Sequence, residues 1–170
     1  MHMWKILAEL TDQNVLGSGG LSCQAPIKKA RAILINEDGQ YAIAHERSTN
    51  LYMLPGGGIE AGEDAETAIT REVLEETGCD CASLIPLGMI SENRFHANCT
   101  RLSYFFVIRT SAKQAIPCFT REEQKLGTEI KWVSLDELLR LIRDCEYNSE
   151  SRKFLQARDL TALQEYMKRF

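Results

Sequence analysis

Residues 54–79 read LPGGGIEAGEDAETAITREVLEETGC, and the fold depends on how this stretch divides. Its first part, Pro55 to Glu63, carries so little side chain that the backbone can approach a ligand closely or present a carbonyl to a cation. From Asp64 the pattern predicts a helix running to Thr77, with Gly78 as its C-terminal stop. At about 100° per residue, Glu72, Glu75 and Glu76 of that helix fall within roughly 100° of arc. Ala65, Ala68 and Ile69 project onto the same arc, so the acidic face continues a strip suited to meeting other protein. Like charges at this spacing repel by roughly a few tenths of a kcal/mol, and Arg71 is the one cation within the helix. A divalent cation would relieve the crowding. Carboxylate oxygens are hard ligands of the kind that magnesium and manganese prefer. His2, His45 and His96 are isolated in sequence and form no competing cluster.

The glycines at 57 and 62 have the spacing of a phosphate-cradling P-loop, but that loop requires Lys followed by Ser or Thr, and Glu63-Asp64 stands there instead. Carboxylates at these positions would repel phosphate directly, so a cation has to mediate. Gly57, five residues, Glu63, seven residues and then Arg71-Glu72-Val73-x-Glu75-Glu76-x-Gly78-Cys79 resembles the Nudix box at every fixed position. Cys79 stands where a bulky aliphatic is usual, and as a small hydrophobe it can fill that place. More loosely, the Leu54-Pro55-Gly56-Gly57 entry and Trp132-Val133-Ser134-Leu135-Asp136-Glu137 are also similar to members of the Nudix hydrolase family.

The resemblance implies an α/β/α sandwich with a mixed β-sheet, and hydrolysis of a phosphoanhydride bond with Mg2+ or Mn2+. It assigns Glu72, Glu75 and Glu76 to the metal, with the Gly57 carbonyl as a further ligand. Arg71 orients the glutamates, while Glu63 and Gly78 support the box. The general base is not given by the box alone. Glu72 is one candidate; Glu122, Glu123 and Glu129 are others, with Glu123 and Glu122 ahead because a loop position can swing toward the metal. The family marks for ADP-ribose and for diadenosine polyphosphates, a proline or tyrosine 16 to 18 residues past the box, are replaced by Arg94, Phe95, His96 and Ala97. Arg94 and Phe95 offer charge and a stacking surface to a nucleotide, and Arg47 offers a second phosphate contact. Nucleoside triphosphates, oxidised ones included, lead nucleotide sugars as the expected substrate. Two rivals stand beside hydrolysis: a prenyl-diphosphate isomerase, which needs a well-placed cysteine, and a non-catalytic ligand-sensing module, for which a degenerate box would be the sign.

On either side of the box the chain alternates between strand and helix signals. Trp4 to Leu10 reads as a first strand. Ile27 to Ile35 and Tyr41 to Ala44 are joined through Asn36-Glu37-Asp38-Gly39, a hairpin signal. Leu51 to Leu54 is a short strand, and Leu84 to Ile90, Leu102 to Ile108 and Ile130 to Val133 are further strands. Ser134-Leu135-Asp136-Glu137 matches a capping box that opens a helix to Asp144, and Ser151 to Met167 has helical spacing.

With 170 residues of which 44% are apolar, the chain can bury one substantial core and is read as a single domain over 1–170. A net charge of −4 provides no basic footprint for duplex nucleic acid. The expected partner is a phosphorylated small molecule, most simply a nucleotide, and a homodimer is left open. Six scattered cysteines read as reduced thiols. Lys5 and Glu9 interrupt the N-terminal apolar run, so no signal peptide is expected. No stretch approaches the roughly 18 apolar residues of a membrane span, and the expected location is cytoplasmic.

Overall fold

A computed structural model describes residues 4–170. In chain order the elements are β1 (Ile6–Thr11), α1 (Asp12–Leu16), β2 (Ile27–Ile35), β3 (Tyr41–Glu46), β4 (Leu51–Met53), β5 (Gly56–Gly58), α2 (Ala65–Thr77), β6 (Cys79–Arg94), a 3-10 turn (Phe95–Ala97), β7 (Cys99–Lys113), α3 (Arg121–Leu126), β8 (Thr128–Val133), α4 (Leu135–Asp144) and α5 (Glu150–Arg169). The strands form one eight-stranded sheet in the order β1-β6-β7-β2-β3-β4, with β5 also on β2 and β8 also on β3. β1 runs parallel to β6 and β2 parallel to β7, while the remaining pairs are antiparallel. The sheet is therefore mixed, and it is sandwiched between helices.

β2 sets the layering. Its run Ala30 to Ile35 is buried throughout, because successive side chains point to opposite faces and both faces are covered. Ala30, Ala32 and Leu34 pack with Ala68, Ile69 and Val73 of α2. Ile33 and Ile35 belong to the other core, with Phe105, Leu138, Ile142, Phe154 and Leu163, under α4 and α5. The small alanines on the first face let α2 lie close to the sheet.

The helix over the box forms as its sequence predicts: Asp64 caps it by accepting from the Thr67 amide at 2.7 Å. At its other end Gly78 takes φ 73° and returns its N–H to the Leu74 carbonyl, a left-handed stop that glycine adopts without a Cβ clash. The hairpin between β2 and β3 is present, with Ile35 opposite Tyr41.

Four expectations need correction. The first strand starts at Ile6, not Trp4; Trp4 instead packs edge-on against Tyr104 and Phe106. β6 and β7 extend far beyond the apolar runs that marked them, because they pair with each other from Cys79 and Lys113 to Arg94 and Cys99. The capping box at α4 is half made: Ser134 accepts from the Glu137 amide, but the Glu137 carboxylate turns to Arg140 at 2.8 Å. Finally, the segment holding Glu122 and Glu123 is helix α3, opened by a complete capping box from Thr120 and Glu123. His2 lies outside the described residues.

Candidate active site

The site forms where the glycine loop meets α2. Gly57 and Gly58 are in β5, paired with Ala30 and Lys29 of β2, so the loop is fixed as an edge of the sheet. Gly57 is held against the helix so closely that a Cβ there would lie 2.2 Å from Glu72 Oε1. Only glycine allows that approach, and a carboxylate and backbone brought together in this way form a cradle for a cation. Arg31 of β2 braces the loop from below, its Nη1 donating to the carbonyls of Leu54 (3.2 Å) and Gly56 (2.7 Å).

Arg71 joins the loop to the helix. It donates to Glu63 in a two-point pair (2.9 and 3.0 Å), to the Gly58 carbonyl (3.0 Å), to Glu72 (2.9 Å) and, more distantly, to Glu75 (3.4 Å). Paired charged hydrogen bonds of this sort fix orientation as well as distance. They hold the Glu63 carboxyl at about 2, with the Glu60 amide assisting, and raise Arg71 above its ordinary value. Through these bonds Arg71 and Glu63 tie the glycine loop to α2.

Glu72 and Glu76 are buried and Glu75 is half-buried. Burial pushes Glu72 up, partly countered by Arg71. It pushes Glu76 up to about 8, against the pull of the Arg31 charge, although the Gly56 amide donates to Glu76 at 3.0 Å. Among the described residues no three such groups already converge at metal-ligating spacing, because Glu72 and Glu75 are turned toward Arg71 and Glu76 toward Gly56. The donor set nevertheless fits magnesium or manganese: hard carboxylate oxygens beside an approachable backbone, at positions where burial makes an unpaired negative charge costly.

These residues line a cleft of about 510 Å³ that also includes Lys29, Arg31, Glu46, Thr120, Glu123 and Thr128. Glu123 reaches it from the first turn of α3, with Oε2 accepting from the amide and hydroxyl of Thr120 at 2.7 and 2.8 Å. Glu122 is exposed and outside the lining, and Glu129 pairs with His45 and Lys131 at 3.1 and 3.5 Å. No cysteine lines the cleft among the described residues.

The three residues offered as substrate contacts lie elsewhere. Arg94 is 2% exposed, donates to Glu92 and sits 5.2 Å over the Phe154 ring, so its charge is committed inside the protein. Phe95 is exposed on the 3-10 turn, with its ring next to Gly20. Arg47 is exposed, outside the lining, and donates to the Gly127 carbonyl. The cations that do line the cleft, Lys29 and Arg31, were passed over in the sequence. Their signal was there: charges set into an otherwise apolar strand, IKKARAILI over 27–35.

The family model described as NUDIX domain matches residues 26–157. Among curated proteins, the chain is 38% identical over 66 residues to a Bacillus subtilis (strain 168) protein provisionally named as an 8-oxo-dGTP diphosphatase, covering 39% of this chain and 44% of that one. It is 41% identical over 78 residues to an RNA pyrophosphohydrolase of Rhodospirillum rubrum, covering 45% of each. The chain thus spans under half the length of these two relatives. Among solved structures, a NUDIX hydrolase from Nitrosomonas europaea superposes with a TM-score of 0.63 at 21% identity, over 85% of this chain and 90% of that one, which is a likeness of fold. The family match takes in the glycine loop, the acidic helix α2, the strands from β2 to β8, α4 and the first part of α5, and the chain belongs to the NUDIX domain family.

Proposed function

We propose that this protein hydrolyses a phosphoanhydride bond in a nucleotide or nucleotide derivative, with magnesium or manganese held by Glu72, Glu75, Glu76 and the Gly57 carbonyl. The observation that carries the reading is the meeting of three glutamates and a glycine backbone in one cleft, braced by Arg71 and flanked by Lys29 and Arg31. The 8-oxo-dGTP diphosphatase and RNA pyrophosphohydrolase names of the two relatives support the same bond type. When bound, the cation supplies neutralisation of phosphate charge and a more acidic water.

The chain's own residues supply the rest. Arg71 and Glu63 hold the carboxylates in place, so little reorganisation is needed as charge develops. Glu123 is the proposed general base: both of its bonds to Thr120 use Oε2, which leaves Oε1 to accept the proton of the attacking water. A base in this role contributes roughly 10²- to 10⁴-fold. The absence of a cysteine from the lining, among the described residues, favours hydrolysis over the isomerase rival.

The test incubates the purified protein with Mg2+ or Mn2+ and a panel of nucleoside triphosphates, nucleotide sugars, dinucleoside polyphosphates, 5′-triphosphorylated RNA and prenyl diphosphates, reading phosphate, pyrophosphate and organic products. Glu76→Gln is expected to lose at least about 10²-fold in turnover. Near-wild-type turnover in that variant would sink the site assignment. Tight binding of one compound with no turnover of any would move the protein to the sensing class.

A further inference from the structure

The sheet layer beneath α5 changes character along its length. At one end it is the apolar core of Ile33, Ile35, Phe105 and Leu163. Toward the glycine loop the same face carries charge. Lys29 stands opposite Ser103, which stands opposite Ile90, and Arg101 stands opposite Glu92. Arg31 enters two residues further along β2, and α5 adds Arg158 and Asp159.

Two cations of this layer have carboxylate partners: Arg94 donates to Glu92 at 3.2 Å and Arg158 to Asp159 at 2.7 Å. Lys29, Arg31 and Arg101 form no ion pair among the described residues. Their charges are close enough to act on one another, since Lys29 is held below its ordinary value by burial and then by Arg31, Arg101 and Arg158. Ser103 is fully buried, Arg158 is 1% exposed and Arg31 9% exposed. Within this layer Arg31 Nε, Arg101 Nε, Arg158 Nη2 and Ser103 Oγ have no hydrogen-bond partner, and neither does one acceptor, Glu92 Oε2. Buried donors are ordinarily satisfied, and although Glu72 acts on Lys29 and Asp159, Glu76 and Glu92 on Arg31, cations without a direct ion pair grouped around unpartnered donors attract an anion with several oxygens, for which arginine is geometrically suited. Lys29 and Arg31 open this layer to the cleft that holds Glu72 and Glu76.

We propose that Lys29, Arg31 and Arg101, backed by Arg158, form an anion subsite for a phosphoryl group of the substrate lying beyond the bond held at the glutamates. The substrate class is then a nucleoside triphosphate, whose chain has an anionic group to place there, and not a nucleoside diphosphate joined to a neutral sugar. The assignment rests on the hydrolase reading for its placement in catalysis, but not for binding itself.

The experiment titrates inorganic triphosphate into the full-length protein in EDTA by calorimetry. It compares wild type with Lys29→Met, Arg101→Met, the charge-keeping Lys29→Arg and Arg101→Lys, and Lys168→Met as an exposed control, each checked for folding by thermal melt. Loss of a charged hydrogen-bonding partner is expected to weaken binding by at least about 10-fold in the two Met variants. Lys168→Met should stay within about twofold, and the charge-keeping variants should recover most of the loss. In a second arm with Mg2+, the Met variants should lower kcat/KM for a nucleoside triphosphate at least about 10-fold more than for a nucleotide sugar. Undiminished triphosphate binding, or equal losses for the two substrates, overturns the subsite. Binding that depends on Lys29 and Arg101 in a protein that hydrolyses nothing overturns the hydrolase reading and leaves the subsite standing; turnover of nucleotide sugars alone does the reverse.

Discussion

The two faces of β2 differ in what they bury. On one face Ala30, Ala32 and Leu34 meet α2 through small and aliphatic side chains. On the other, Ile33 and Ile35 meet α4 and α5 through an apolar core, and two residues earlier Arg31 faces the Arg158 and Asp159 charges. The first face is a platform: it brings a helix close and so places three glutamates at the edge of the sheet. The second combines a platform with a store of positive charge. Positioning and charge are thus assigned to opposite sides of one strand, and the cleft opens where the two meet.

The largest expected effect lies on the charged face. Arg158→Met leaves Asp159 buried without its partner and should cost about 3–5 kcal/mol in urea unfolding. The double variant Arg158→Met/Asp159→Asn should recover a substantial part of that loss, because Asn can still accept from the Leu54 amide that Asp159 binds at 2.9 Å. If the double variant is no more stable than the single, charge pairing is not what holds that face together.

On the platform face, Ile69→Ala removes a fully buried side chain and should cost about 2–5 kcal/mol. Turnover should fall with it, since α2 would lose its seat. An unfolding midpoint within experimental error of wild type would break the account of why α2 sits where it does.

Glu76, at the seam, makes the comparison depend on pH. Its folded value of about 8 lies above the ordinary 4.5, so between those limits the native protein retains a proton that the unfolded chain releases. The stabilisation is complete below about 4.5 and is lost as pH rises through about 8. Thermal melts of the metal-free protein should show Tm falling over this window, and Glu76→Gln should flatten that part of the profile. An identical pH profile in the variant would show that Glu76 is not the group responsible. Smallest is the cap: Asp64→Ala should cost about 1 kcal/mol, measured in the same unfolding assay, with α2 otherwise intact; a neutral result would mean that packing on Ala30 and Ala32 alone fixes the start of the helix.

Much of the site was legible from local pattern. The acidic arc of α2, its start at Asp64 and its stop at Gly78 follow from residues within a few positions of one another, because helix periodicity and end-capping are short-range effects. Glu63 and Arg71 were readable as braces from the family resemblance, and their two-point pair is the geometry behind it. Less legible were α1 and α3, of five and six residues, too short to build a periodic signal. β5 is three glycines that become a strand only because β2 lies beside them. Arg94 misled because its sequence position said nothing of Glu92 and Phe154, which enclose it.

The family resemblance, the acidic helix and its ends, and the hairpin follow from the sequence alone. All of these follow from side-chain order over a few turns or a few residues. Tertiary structure alone decided that β2 lies parallel to β7 and that Lys29 therefore stands opposite Ser103. It also decided that Arg158, far along the chain, reaches the same layer as Arg31. Charges distant in sequence become neighbours only when sheet register and helix packing are set together, and no local pattern carries that information.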